Sequence, residues 1–68
     1  MKVRYDPDAD AMYITLNDDE VDVTRKLDDN TLLDFNKKGE LVGIELLFVK
    51  ERNPEILKNF KVDKLLTA

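Results

Sequence analysis

The chain has 68 residues, 38% of them charged, with 11 Lys and Arg against 15 Asp and Glu for a net charge of −4, and it contains neither cysteine nor histidine. One domain of this length buries only about 60% of the surface its unfolded chain exposes, and so small a core seldom supplies more than roughly 3–5 kcal/mol unaided. Without Cys or His, a disulfide framework and a zinc site of the usual Cys/His kind are excluded, which leaves oligomerisation, a homodimer first, as the expected reinforcement.

The remaining composition narrows the chemistry. Serine, glutamine and tryptophan are also missing, so triads built on Ser, Cys or His cannot form. Gly39 and Gly43 are the only glycines, too few for a phosphate-cradling loop. A chain this short offers little depth for the paired carboxylates of glycoside chemistry. The expectation is a protein that is not an enzyme and has no cofactor. The opening Met-Lys-Val-Arg has no apolar leader, and no apolar run approaches the roughly 18 residues of a membrane span, so a cytoplasmic location is expected. The charged fraction, against a typical ~25%, leans toward a thermophilic source. Charge is unevenly placed: residues 1–34 hold four Lys/Arg and ten Asp/Glu, and residues 35–68 hold seven and five. An acidic first half repels phosphate backbones and disfavours nucleic acid. It serves solubility, or a basic protein partner.

In chain order, Val3 and Tyr5 alternate with Lys2, Arg4 and Asp6, the period-two pattern of a half-buried strand. Asp6-Pro7-Asp8-Ala9-Asp10 is turn chemistry. Ala11 to Leu16 resumes the alternation, with Met12, Ile14 and Leu16 on one face and Ala11, Tyr13 and Thr15 on the other. After the polar Asn17-Asp18-Asp19-Glu20, a frayed third strand carries Val21, Val23 and Leu27. Asp28-Asp29-Asn30 is a tight turn, Thr31 to Phe35 a fourth strand, and Asn36-Lys37-Lys38-Gly39 a turn whose glycine can take the left-handed conformation. The fifth strand, from Glu40 or Leu41, has Val42, Ile44, Leu46 and Phe48 on one face but Leu41, Leu47 and Val49 on the other. Such a strand is either central between a helix layer and something else, or at a subunit interface. Asn53-Pro54-Glu55 reads as a helix start, with Ile56, Leu57 and Phe60 as an apolar stripe, a break near Lys61-Val62 and Asp63 capping a last turn. The expected fold is α+β: one domain over 1–68, an antiparallel β-meander of about five short strands over 2–49, and one or two short helices over 53–67.

Few residues invite a chemical reading. Asp6, Asp8 and Asp10 match the opening of a calcium loop, but Ala11 stands where the loop needs Gly and Asn17 where it needs Glu. A capped β-turn explains them better, with weak divalent-cation binding as the alternative. Tyr5 and Tyr13 carry polar tips on a sheet and are expected to cap the edge of a core. Glu45 is expected to pair with Arg4 or Lys2 across the sheet. Tyr13, Leu41, Glu45, Leu47 and Val49 form the candidate interaction surface.

The run Lys2 to Ile14, with Tyr5-Asp6, Ala9-Asp10-Ala11 and Tyr13-Ile14, followed by Leu33-Asp34 and by Gly39-Glu40-Leu41-Val42-Gly43-Ile44-Glu45, resembles a family of short prokaryotic proteins called domain of unknown function 2283. The resemblance covers residues 2 to 47 and implies a β-meander followed by a helix. It implies no activity, and no functional residue carries over. Members of that family turn into a helix soon after the Gly-Ile-Glu strand, whereas Phe48 and Val49 read here as continued strand. The leading functional expectation is a non-enzymatic, homo-oligomeric interaction module. An acidic, antitoxin-like neutraliser of a basic toxin is the alternative.

Overall fold

The computed structural model describes residues 1–59, and the expected break at Lys61-Val62 and cap at Asp63 lie outside them. Five strands form one antiparallel sheet: β1 (Lys2–Asp6), β2 (Ala11–Thr15), β3 (Val23–Asp28), β4 (Thr31–Phe35) and β5 (Leu41–Leu47). Two short helices follow, α1 (Val49–Arg52) and α2 (Ile56–Asn59). The five strands fall where the alternation and turn residues put them, except that β3 opens at Val23, leaving Val21 in the connection, and β5 ends before Phe48. Asp6 Oδ1 accepts from the Asp8 amide at 2.9 Å, Asn17 Oδ1 from Asp19 at 2.8 Å and Asp28 Oδ1 from Asn30 at 2.8 Å. Each is an Asx turn at or just beyond the end of a strand. Gly39 takes φ 80° between β4 and β5, the left-handed conformation its turn requires.

The order across the sheet is β1-β2-β5-β4-β3. Hairpin neighbours hold for β1–β2 and for the meander β3–β4–β5. β2 and β3 are not neighbours, because residues 16–22 cross to the far edge and β5 returns to pair with β2, a Greek-key closure. A bulge supports this crossing. Asp34 pairs with Gly43 and Phe35 with Leu41, so Val42 has no partner on β4. Its carbonyl instead accepts the amides of Leu16 at 2.8 Å and Asn17 at 3.4 Å, where the connection leaves β2.

β5 is the central strand of the sheet, and the register gives it one apolar side and one side shared with Gly43 and Glu45. The register sets Val3, Tyr5, Met12, Ile14, Leu33, Ile44 and Leu46 on one side of the sheet, the apolar face. Lys2, Arg4, Tyr13, Glu45, Leu32, Asp34 and Thr24 fall on the other, the polar face. This is the division an antiparallel sheet makes when one side seeks cover and the other meets water. Burial is thin: Met12, Val42 and Val49 are the only buried apolar side chains among the described residues.

The end of β5 corrects the expectation of strand through Val49 and a helical tail opening at Asn53. The strand stops at Leu47, Phe48 turns left-handed with φ 54°, and α1 begins at Val49. Phe48 has no side-chain cap to offer. The cap comes instead from Asp10, in the β1–β2 turn, forty residues earlier in the chain. The Asp10 carbonyl accepts the Val49 amide at 3.0 Å, and its carboxylate accepts Lys50 N–H at 2.8 Å and Glu51 N–H at 3.1 Å. Three of the four donors that a helix start leaves open are thereby satisfied from another element. Asn53 ends α1 rather than opening a helix, donating to the Val49 carbonyl at 3.0 Å, and α2 follows the turn at Pro54 and Glu55.

Candidate functional site

On the polar face, one row of side chains crosses four strands. Tyr13 of β2 donates a short hydrogen bond to Asp34 Oδ2 on β4, and Thr24 Oγ1 of β3 donates to Asp34 Oδ1 at 2.5 Å. Between Tyr13 and Asp34 lies β5, and the residue beneath the bridging phenol is Gly43. A Cβ at Gly43 would stand 2.8 Å from the Tyr13 Cζ, nearer than real Cβ contacts allow. The glycine therefore serves this row as the gap through which a tyrosine reaches two strands away. Asp34 is 9% exposed, and both of its oxygens accept hydroxyl donors, which meets the demand of a buried carboxylate.

The hydrogen bond to Asp34, then burial, push the Tyr13 hydroxyl up to about 12, with the charges of Asp34 and Glu45 acting in the same direction and Arg4 opposing them. A phenol held neutral in this way donates and does not act as a base. Arg4, Tyr13 and Glu45 line one shallow depression beside the β1–β2 turn. The expected pairing of Glu45 with Arg4 or Lys2 does not occur. Arg4 pairs with Tyr13 and Tyr13 with Glu45, so β2 lies between the two residues, whose backbones stand roughly 10 Å apart at strand spacing. Among the described residues the two ion pairs are Lys26–Asp29 and Lys58–Glu55, both exposed and three residues apart.

The candidate interaction surface separates into parts. Tyr13 and Glu45 are cross-strand partners, and Leu47 faces Ala11 on the same side. Leu41 sits beside the bulge, opposite Phe35. Val49, 5% exposed, is buried in the turn from sheet to helix. The Asp6, Asp8 and Asp10 series does not converge either. Asp6 closes its own turn, accepting also from the Ala9 amide at 3.4 Å, while Asp10 caps α1 and accepts Tyr5 Oη–H at 2.7 Å. Those donors, the Lys50 amide first and Tyr5 second, hold the Asp10 carboxyl below the usual carboxylate range.

A second polar centre closes the β4–β5 turn. Asn36, 8% exposed, accepts the amides of Lys38 at 3.0 Å and Glu40 at 2.9 Å through Oδ1. Its Nδ2 donates to Asp19 Oδ2 at 3.0 Å and Glu40 Oε1 at 2.9 Å, which anchors the acidic connection to the sheet.

Sequence reasoning missed Thr24 and Asp34 as partners of Tyr13. The available signal was Gly43, since a lone glycine inside a strand often marks the close approach of another group. Among the described residues no group of three or more Asp or Glu is placed to hold a metal ion, and no helix is long and apolar enough to cross a membrane. No curated protein and no solved structure matches the chain. A family model does match, over residues 2–50, and the chain belongs to that family, described as "Protein of unknown function (DUF2283)".

Proposed function

We propose that this protein is a non-enzymatic interaction module that works as a homo-oligomer, with a dimer as the simplest form. The observation that carries the reading is the thinness of the core: three buried apolar side chains among the described residues, beneath a sheet whose apolar side is mostly half-exposed. A sheet of this kind needs a second layer to be stable. Exposed Leu16, Val21, Val23 and Leu27 add to the apolar surface available to a partner. The polar residues fit a structural role, since Asp34, Asn36 and Asp10 each spend their hydrogen-bonding capacity within the chain. Sedimentation velocity of the full chain at micromolar concentration tests the reading. A dimer is expected, and a persistent monomer would remove its main support.

The acidic connection supports a second reading. Asp18, Asp19, Glu20 and Asp22 stand together in residues 16–22, and Asn36 draws Asp19 toward Glu40. Such a surface would suit a basic protein partner in a cytoplasmic, antitoxin-like role. That reading predicts a salt-sensitive complex co-purifying from the native host, and recovery of the homo-oligomer alone would count against it.

A further inference from the structure

Self-association could use the polar face, a free sheet edge or the apolar face, and the three differ in what they offer a second copy. On the polar face the register sets Lys2, Arg4 and Asp6 along β1 and the Tyr13–Asp34–Thr24 row toward β3. A second copy there would bury charged side chains of both signs at a desolvation cost and gain little apolar area. The edges are guarded. β3 is exposed along its whole length, carries Arg25 and Lys26, and is broken by a bulge at Leu27. β1 is five residues long, alternates charged residues and runs into Pro7. These are the devices by which natural sheets discourage strand addition.

The apolar face has the opposite character. Across β1, β2, β5 and β4 the register places only apolar residues, Tyr5 and Thr31 on it. The charged residues it sets there, Arg25 and Asp28, both stand on the edge strand β3. At the periphery Val23 is 40% and Leu16 38% exposed. The molecule's broad side measures 35 × 28 Å, large enough for the roughly 800 Å² per partner of a stable interface. An uncharged centre lets two identical faces meet without repulsion, as a twofold interface requires.

Resting on the self-association reading above, we infer that two copies of this chain stack sheet on sheet through the apolar face, with the polar faces outward and the edges free. The dimer is then a two-layer sandwich in which Ile14 and Ile44 of one copy pack against the other sheet.

The test uses the full chain with half of the copies methyl-labelled and isotope-filtered NOE spectra recorded between labelled and unlabelled copies. Intermolecular NOEs are expected at the methyls of Ile14 and Ile44. In parallel, Val23→Lys, at a position already exposed, should weaken dimerisation at least about tenfold, since a twofold interface receives the change twice. Lys2→Glu, on the opposite face, should leave it unchanged. A dimer with its intermolecular NOEs on Ala11 and Tyr13, or one insensitive to Val23→Lys, would overturn the stacking while leaving self-association intact. A monomer in sedimentation would remove both.

Discussion

The ring of Tyr13 passes over Gly43, and the absence of a side chain at that glycine is what lets the phenol reach across β5 to Asp34 on β4. β2, β5 and β4 are thereby joined by one hydrogen bond in addition to their backbone ladders. Thr24 extends the connection to β3.

Gly43→Ala should therefore be destabilising by about 1–3 kcal/mol, because the added methyl displaces a ring and not a flexible chain end. Chemical denaturation measures it. Tyr13→Ala in the same background removes the obstacle, so the double-mutant cycle should return a coupling on the order of 1–2 kcal/mol. Additive effects of the two substitutions would show that the ring is free to move aside.

The Tyr13 hydroxyl, raised from 10.0 to about 12, makes stability depend on alkaline pH. Its folded value lies above its unfolded one, so the contribution is complete below pH 10 and is lost as pH rises toward 12. Tyrosinate absorbance should report a late-titrating group that disappears in Tyr13→Phe and moves down in Asp34→Asn. An unchanged titration in Asp34→Asn would place the cause elsewhere.

At the acid end, Asp10 contributes in the opposite sense. Its carboxyl is held below the ordinary 3.8 by the Lys50 amide and Tyr5, so its stabilisation is present above that value and fades as pH falls through the lower, folded one. Asp10→Ala should flatten the acid limb of the stability curve. It should also lose the cap on α1 and strain a residue at φ 51°. Asp10→Asn keeps the backbone conformation and one acceptor and should retain part of the stability with a weaker acid dependence. Equal behaviour of wild type and Asp10→Asn across the acid limb would contradict the charge-based account.

Asn36 must be an amide and not an acid, since its Nδ2 donates to two carboxylates. Asn36→Asp replaces the donor with a third negative group at a nearly buried position and should cost about 1–3 kcal/mol at neutral pH. The deficit should shrink on acidification, as the new carboxylate protonates. Asn36→Ala should show a loss without that pH dependence. Matching pH profiles for the two variants would sink this reading of the site.

Heat stability bears on the charge-rich composition. The two ion pairs among the described residues are exposed and isolated, and pairs of that kind contribute roughly 0–1 kcal/mol each. If self-association supplies the heat stability instead, the melting midpoint should rise with protein concentration, and a midpoint independent of concentration would count against it.

By itself the amino-acid sequence determined the local structure, because strand alternation and turn chemistry act over a few residues. Val3 and Tyr5, Met12 and Ile14, and Leu33 and Phe35 declared their strands by period, and Asp6, Asp28 and Gly39 declared the turns between them. The family was equally legible, since its motif lies within those same strands. Tertiary structure alone decided what depends on strand order. Once β5 settles between β2 and β4, Gly43 becomes a passage for Tyr13, Asp34 becomes its acceptor, and Glu45 is separated from Arg4. The helix start moved for a related reason: Phe48 cannot cap α1, and the Asp10 that does arrives only when the first hairpin folds against the end of β5. Contacts forty residues apart have no period to betray them, and they require the sheet to be assembled before the partners meet.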